Sequence, residues 1–168
     1  MTFVVPFDGS VLAQAALSRA VAFAGVADER VVAVAVVPVD NAAYARDRGW
    51  LSTGEPFDRE AVVGRLRGRV SDLARDVTFR TVFVDRDAPS GAISTRIRRV
   101  LAEEDASMVF VGSDTAGRIA ASVASVGNRV GGDPNYDAVI VRTPGPSPVA
   151  AIREQEPLAA ADGRGRED

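Results

Sequence analysis

The sequence predicts an α/β domain on a doubly wound, five-stranded parallel sheet with helices on both faces. Three observations carry this. Short apolar runs alternate along the chain with segments whose apolar residues recur every three or four positions. The runs are valine-rich and continuous rather than alternating, which suits strands buried on both faces. The length of 168 residues, 46% of them hydrophobic and 26% charged, fits one domain with a core of useful size. Strands that alternate with helices form a parallel sheet with right-handed crossovers.

Phe3-Val4-Val5 reads as the first strand and ends at Pro6. Asp8-Gly9-Ser10 is a turn, with Ser10 suited to cap the helix that follows. Ala13, Leu17, Val21 and Ala24 give that helix its inner face, and it is expected to stop near Gly25. Val31 to Val37 is the second strand. Residues 40–57, which hold two glycines, a proline and the single tryptophan, Trp50, read as a long loop. Asp58 can cap a second helix with Val62, Leu66, Val70 and Leu73 facing inward.

Val77 to Val84 is the third strand, and Pro89-Ser90-Gly91 opens a third helix with Ile93, Ile97, Val100 and Leu101 inward. The acidic run Glu103-Glu104-Asp105 closes that helix at the end its dipole disfavours, and reads as a solvated terminus. Met108 to Val111 is the fourth strand. Residues 117–130 are expected to be partly helical, stopped by Gly131-Gly132, and Ala138 to Val141 is the fifth strand. The expected domain covers residues 1–143. Residues 144–168 are proline-rich, then small or charged, and are expected to form a flexible tail.

Composition excludes several chemistries. There is no cysteine, hence no disulfide, thiolate metal site or cysteine nucleophile. There is no histidine, so the commonest general base and a Ser-His-Asp triad are absent. All basic residues are arginine, which removes a Schiff-base or phosphate-binding lysine. The formal net charge of -3 argues against nucleic acid as a partner. The longest apolar stretch, Val31 to Val39, is too short to cross a membrane. No secretory signal is recognisable, so the expected location is the cytoplasm.

In doubly wound sheets a ligand sits at the carboxyl ends of the strands, where strand order reverses. The loops after the first and fourth strands are therefore the candidates: Pro6, Phe7, Asp8 and Ser10 on one side, Gly112 to Arg118 on the other. Both are small, polar and glycine-bearing, and each leads into a helix whose free N–H groups favour an anion. Asp8 can accept hydrogen bonds from a ribose or an adenine amino group. On the plainer reading Asp8 and Ser10 only cap the first helix. Both readings stand on these residues alone.

Val5-Pro6-Phe7-Asp8-Gly9-Ser10, followed by an alanine-rich helix, resembles the opening of the universal stress protein family. Val34 to Pro38 resembles its second strand. Gly112 to Val130 resembles its signature of two spaced glycines followed, after nine residues, by Gly-Ser or Gly-Thr. The resemblance implies the strand order 3-2-1-4-5, adenine-nucleotide binding between strands one and four, and a homodimer through the last strand, Ala138 to Arg142. Residue by residue, it implies Pro6 and Asp8 beside adenine and ribose, and the Val36 backbone on adenine. It further implies Val111 and Gly112 beside the ribose, and Gly117, Ser125 and Val126 at the phosphates.

The chain departs from the pattern twice. Four residues rather than two separate Gly112 from Gly117, and Ala124 stands where a glycine precedes the terminal serine. Asp114 adds a carboxylate to the loop meant for phosphate, and like charges about 4 Å apart cost roughly 1 kcal/mol even in water. Arg118, or a magnesium ion bridging Asp114 and the phosphates, would offset it. The leading expectation is a regulatory domain without catalytic residues, which binds ATP or another adenine nucleotide. The alternative is a nucleotide-free interaction module of the same fold.

Overall fold

Five strands, β1 (Thr2–Pro6), β2 (Arg30–Pro38), β3 (Val77–Val84), β4 (Ala106–Gly112) and β5 (Asp137–Val141), form one sheet in the order β3-β2-β1-β4-β5. The structure is a computed structural model and describes residues 1–114 and 136–145. Every pairing is parallel. β1 lies at the centre with Val4 opposite Val32 of β2 and Val109 of β4. The expected fold class and strand order are those observed.

Strand side chains alternate between two faces, and each face has its own helices. On one face Phe3, Val5, Ala33, Ala35, Val37 and Phe110 pack with Ala13, Ala16, Leu17 and Ala20 of α1 (Val11–Ala27) and with Val62, Leu66 and Val70 of α3 (Arg59–Leu73). On the other, Val4, Val32, Val34, Val36, Val109 and Val111 pack with Ile97, Val100 and Leu101 of α4 (Ser90–Glu103). This explains the continuous valine runs: no residue along β2 after Arg30 meets solvent freely. Each such valine or leucine stabilises the fold by about 1.5–3 kcal/mol.

The differences from expectation are local. α1 runs past Gly25 to Ala27 and stops at Asp28, which adopts φ 55° and donates its N–H to the Ala24 carbonyl. Aspartate tolerates that left-handed conformation better than most residues. Leu73 is 38% exposed rather than inward, as the last residue of α3 before Ala74 turns extended. Residues 40–57 contain a short helix, α2 (Ala42–Asp47), started by the Asn41 side chain accepting from the Tyr44 N–H at 2.9 Å.

Glu103 and Glu104 are not merely solvated. Arg80 of β3 hydrogen-bonds both, Arg30 of β2 holds Glu104 at 3.0 Å, and Arg99 holds Glu103 at 2.9 Å. Arg80 first, then Arg99, keeps the Glu103 carboxyl below its ordinary range. Three arginines thus offset the unfavourable helix dipole, and two of them, Arg30 and Arg80, tie the end of α4 to two strands. The expected helix over 117–130 and the expected tail after Gly145 lie outside the described residues. No described helix is long and apolar enough to cross a membrane.

Candidate functional site

The chain leaves β1 toward β2 and β3, then returns through α4 to β4 on the other side of β1. The strands that follow β1 and β4 in the chain, β2 and β5, lie on opposite sides of the pair, and ligands of such sheets bind at the carboxyl ends beside that reversal. The loop Phe7 to Ser10 forms one bank, and Gly112 to Asp114 begins the other.

The first bank is a tight turn. Gly9 adopts φ 79°, a conformation that favours glycine. The Asp8 carboxylate accepts the Ser10 N–H at 2.9 Å, and Ser10 Oγ accepts the Ala13 N–H at 3.2 Å. Gln14 donates to the Gly9 carbonyl at 3.0 Å. The capping reading of Asp8 and Ser10 is thus realised in the turn and the first turn of α1. The Asp8 side chain nevertheless stays 23% exposed, with its second oxygen turned away from the helix.

That second oxygen meets residues from the connection after α2. Arg48 Nη1 lies 3.4 Å from Asp8 Oδ2, and the Arg48 guanidinium stacks on the Tyr44 ring at 4.3 Å. The Arg48 Nε is buried and has no hydrogen-bond partner among the described residues. Trp50, 1% exposed, donates its indole N–H to the Asp8 carbonyl at 2.7 Å. Two arginines of α3 hold this connection in place. Arg69 donates to the Gly49 carbonyl at 2.9 Å, and its guanidinium occupies the space a side chain on Gly9 would need. Arg65 donates to the Trp50 carbonyl at 2.6 Å and to Glu55 at 2.6 and 3.0 Å. The Arg65 bond, helped by the Ser52 N–H, pulls the Glu55 carboxyl from its ordinary 4.5 down to about 2.

The expected site residues separate into three groups. Pro6, Asp8 and Ser10 stand at the carboxyl end of β1 as expected. Phe7 does so only through its backbone: its ring is 2% exposed in the core, and its N–H already donates to the Val34 carbonyl at 2.8 Å. Val36 and Val111 are core residues on the α4 face, 7% and 3% exposed, so they also have only backbone to offer. Gly112 ends β4 against α1. A Cβ there would sit 2.9 Å from the Leu12 backbone carbon and 3.1 Å from the Ala13 N. Packing against α1 by itself demands a glycine at this position. Gly117, Arg118, Ser125 and Val126 lie outside the described residues.

Comparison with known proteins decides the family. The universal stress protein family model matches residues 1–142. The chain belongs to the universal stress protein family. A solved universal stress protein in complex with cAMP superposes with a TM-score of 0.52 at 21% identity, over 84% of this chain and 95% of that one. A universal stress protein family member from Burkholderia pseudomallei gives a TM-score of 0.52 at 21% identity, over 83% and 94%. At that identity these likenesses speak for the fold. A search of curated proteins returns no significant match.

Around the Asp8 loop this universal stress protein domain gathers a group of residues that the sequence alone does not bring together. Tyr44, Arg48, Trp50 and Arg69 converge on the Asp8 loop from elements far along the chain. One signal pointed there: the only tryptophan stands beside a glycine and two arginines in an otherwise aromatic-poor sequence. Its destination required the fold.

Proposed function

We propose that this universal stress protein domain is a regulatory, cytoplasmic adenine-nucleotide binder, ATP or AMP, rather than an enzyme. The observation that carries the reading is the Asp8 carboxylate. It stands at the carboxyl end of the central strand, beside the strand-order reversal, oriented by the Ser10 N–H and still open to solvent. A carboxylate so placed accepts a ribose hydroxyl or an adenine amino group with its remaining lone pairs. The cAMP complex of a fold neighbour supports an adenine nucleotide as the ligand class. Asp114, exposed just past β4, would share a magnesium ion brought in with the phosphates.

We further propose a homodimer through β5. It is an edge of the sheet, and Ile140 is 41% exposed there, which invites pairing with a second copy.

A second reading is favoured by a specific contact. Both Asp8 oxygens already have protein partners, Ser10 and Arg48. A nucleotide-free interaction module would use Asp8 only to fasten its own loop. The two readings separate on purification followed by mass spectrometry of any bound nucleotide, and on calorimetric titration of ATP, ADP and AMP with magnesium. Micromolar affinity for any of them supports the binder. Absence of binding at millimolar ligand leaves the module.

A further inference from the structure

The Arg48 guanidinium is underused. Among the described residues its side chain has one hydrogen-bond partner, Asp8, and the 3.4 Å separation exceeds the 2.7–2.9 Å of a strong charge-assisted bond. Its Nε is buried without a partner, although a guanidinium carries five N–H donors. Stacking on Tyr44, 4.3 Å from the guanidinium carbon to the ring centroid, holds the group beside Asp8. The backbone beneath it is fixed separately, by Trp50 on Asp8 and by Arg69 on Gly49. The side chain can therefore change partners while the loop stays docked.

We propose that Arg48 selects for ligands that carry a phosphate. This rests on the nucleotide reading above and adds a specificity residue to it. A neutral donor that takes Asp8 Oδ2, such as a ribose hydroxyl, competes with Arg48 for that oxygen. A nucleoside then shares that carboxylate with Arg48 and weakens a contact that is already long, inside a partly desolvated site. A nucleotide brings Arg48 a second anion, and an arginine fork binds phosphate oxygens well. Asp8 gains a ligand donor, and Arg48 gains a phosphate in place of part of its contact with the shared carboxylate. The positive charge also opposes the repulsion that Asp8 and Asp114 would exert on an incoming phosphate.

The test is calorimetry on the full chain with AMP and adenosine, for wild type, Arg48→Ala and Arg48→Lys. Wild type is expected to bind AMP at least about tenfold tighter than adenosine, and Arg48→Ala to reduce that ratio by about tenfold. The loss falls on AMP, while adenosine binds Arg48→Ala as well as or better than wild type. Arg48→Lys keeps part of the preference, since it retains the charge without the fork. Trp50 fluorescence that matches wild type shows that the loop remains docked in each variant. An AMP-to-adenosine ratio unchanged in Arg48→Ala overturns the role of Arg48 and leaves the nucleotide reading intact. If wild type binds neither ligand, the nucleotide reading falls and takes this inference with it.

Discussion

Trp50 and Asp8, forty-two positions apart, are joined by an indole N–H that donates to a backbone carbonyl at 2.7 Å. The bond makes the Asp8 loop part of the same packed unit as the connection between α2 and α3. It also places the one tryptophan of the chain where its fluorescence reports on that unit. Replacing Trp50 by Phe keeps most of the apolar volume and removes the donor. The stranded Asp8 carbonyl should cost about 1–3 kcal/mol, read as a lower midpoint in urea denaturation.

Gly112 offers a cleaner stability test. The missing Cβ lets the end of β4 approach the backbone of Leu12 and Ala13, which cannot move without disturbing the start of α1. Gly112→Ala should destabilise the protein by about 1–3 kcal/mol through overpacking. It should do so whether or not a nucleotide is present. Urea denaturation of the ligand-free protein measures it; a stability equal to wild type would refute the packing role.

The Glu55–Arg65 pair gives a pH dependence. Folding lowers the Glu55 carboxyl from 4.5 to about 2, so the folded state binds the proton less readily than the unfolded chain. Its contribution is therefore fully present above 4.5 and is lost as the pH falls toward 2. Both side chains are partly exposed, so the effect is small. Glu55→Gln should be less stable than wild type at neutral pH, and the gap should close on acidification. Thermal melts of both proteins across that range check it, and a gap independent of pH would contradict it.

The proposed dimer makes a hydrodynamic prediction. Wild type should run at twice the 17.6 kDa chain mass in light scattering coupled to gel filtration. Ile140→Asp places a charge on the exposed edge strand and should shift the protein to monomer without unfolding it. A wild-type monomer at all concentrations would end the dimer proposal.

Much of the fold was legible because the central strands β1, β2 and β4 are buried on both faces. The valine runs of β2 and β4, and the helical spacing of Val62, Leu66 and Val70, follow directly from that burial. Asp58 and Ser10 were readable as caps because each lies three residues before a backbone N–H in need of an acceptor. Contacts between distant segments were not legible. Nothing in the local sequence of Glu103 and Glu104 announces Arg80, and nothing near Asp8 announces Arg48 or Trp50. Phe7 is a related case: it belongs to a polar, glycine-bearing loop, yet strand alternation carries its ring into the core with Phe3 and Val5. For Gly112, α1 supplies a packing reason that the motif does not express.

The central claim is that Asp8 recognises an adenine nucleotide, and one substitution tests it most directly. Asp8→Asn keeps an oxygen that can accept the Ser10 N–H, so the turn should survive, but it removes the charge. Calorimetric titration of AMP should give micromolar affinity for wild type and at least about a tenfold loss for Asp8→Asn. Wild-type Trp50 fluorescence in the variant would show that the loop is intact. Equal AMP affinity in the two proteins, or no AMP binding by wild type at millimolar concentration, would contradict the account.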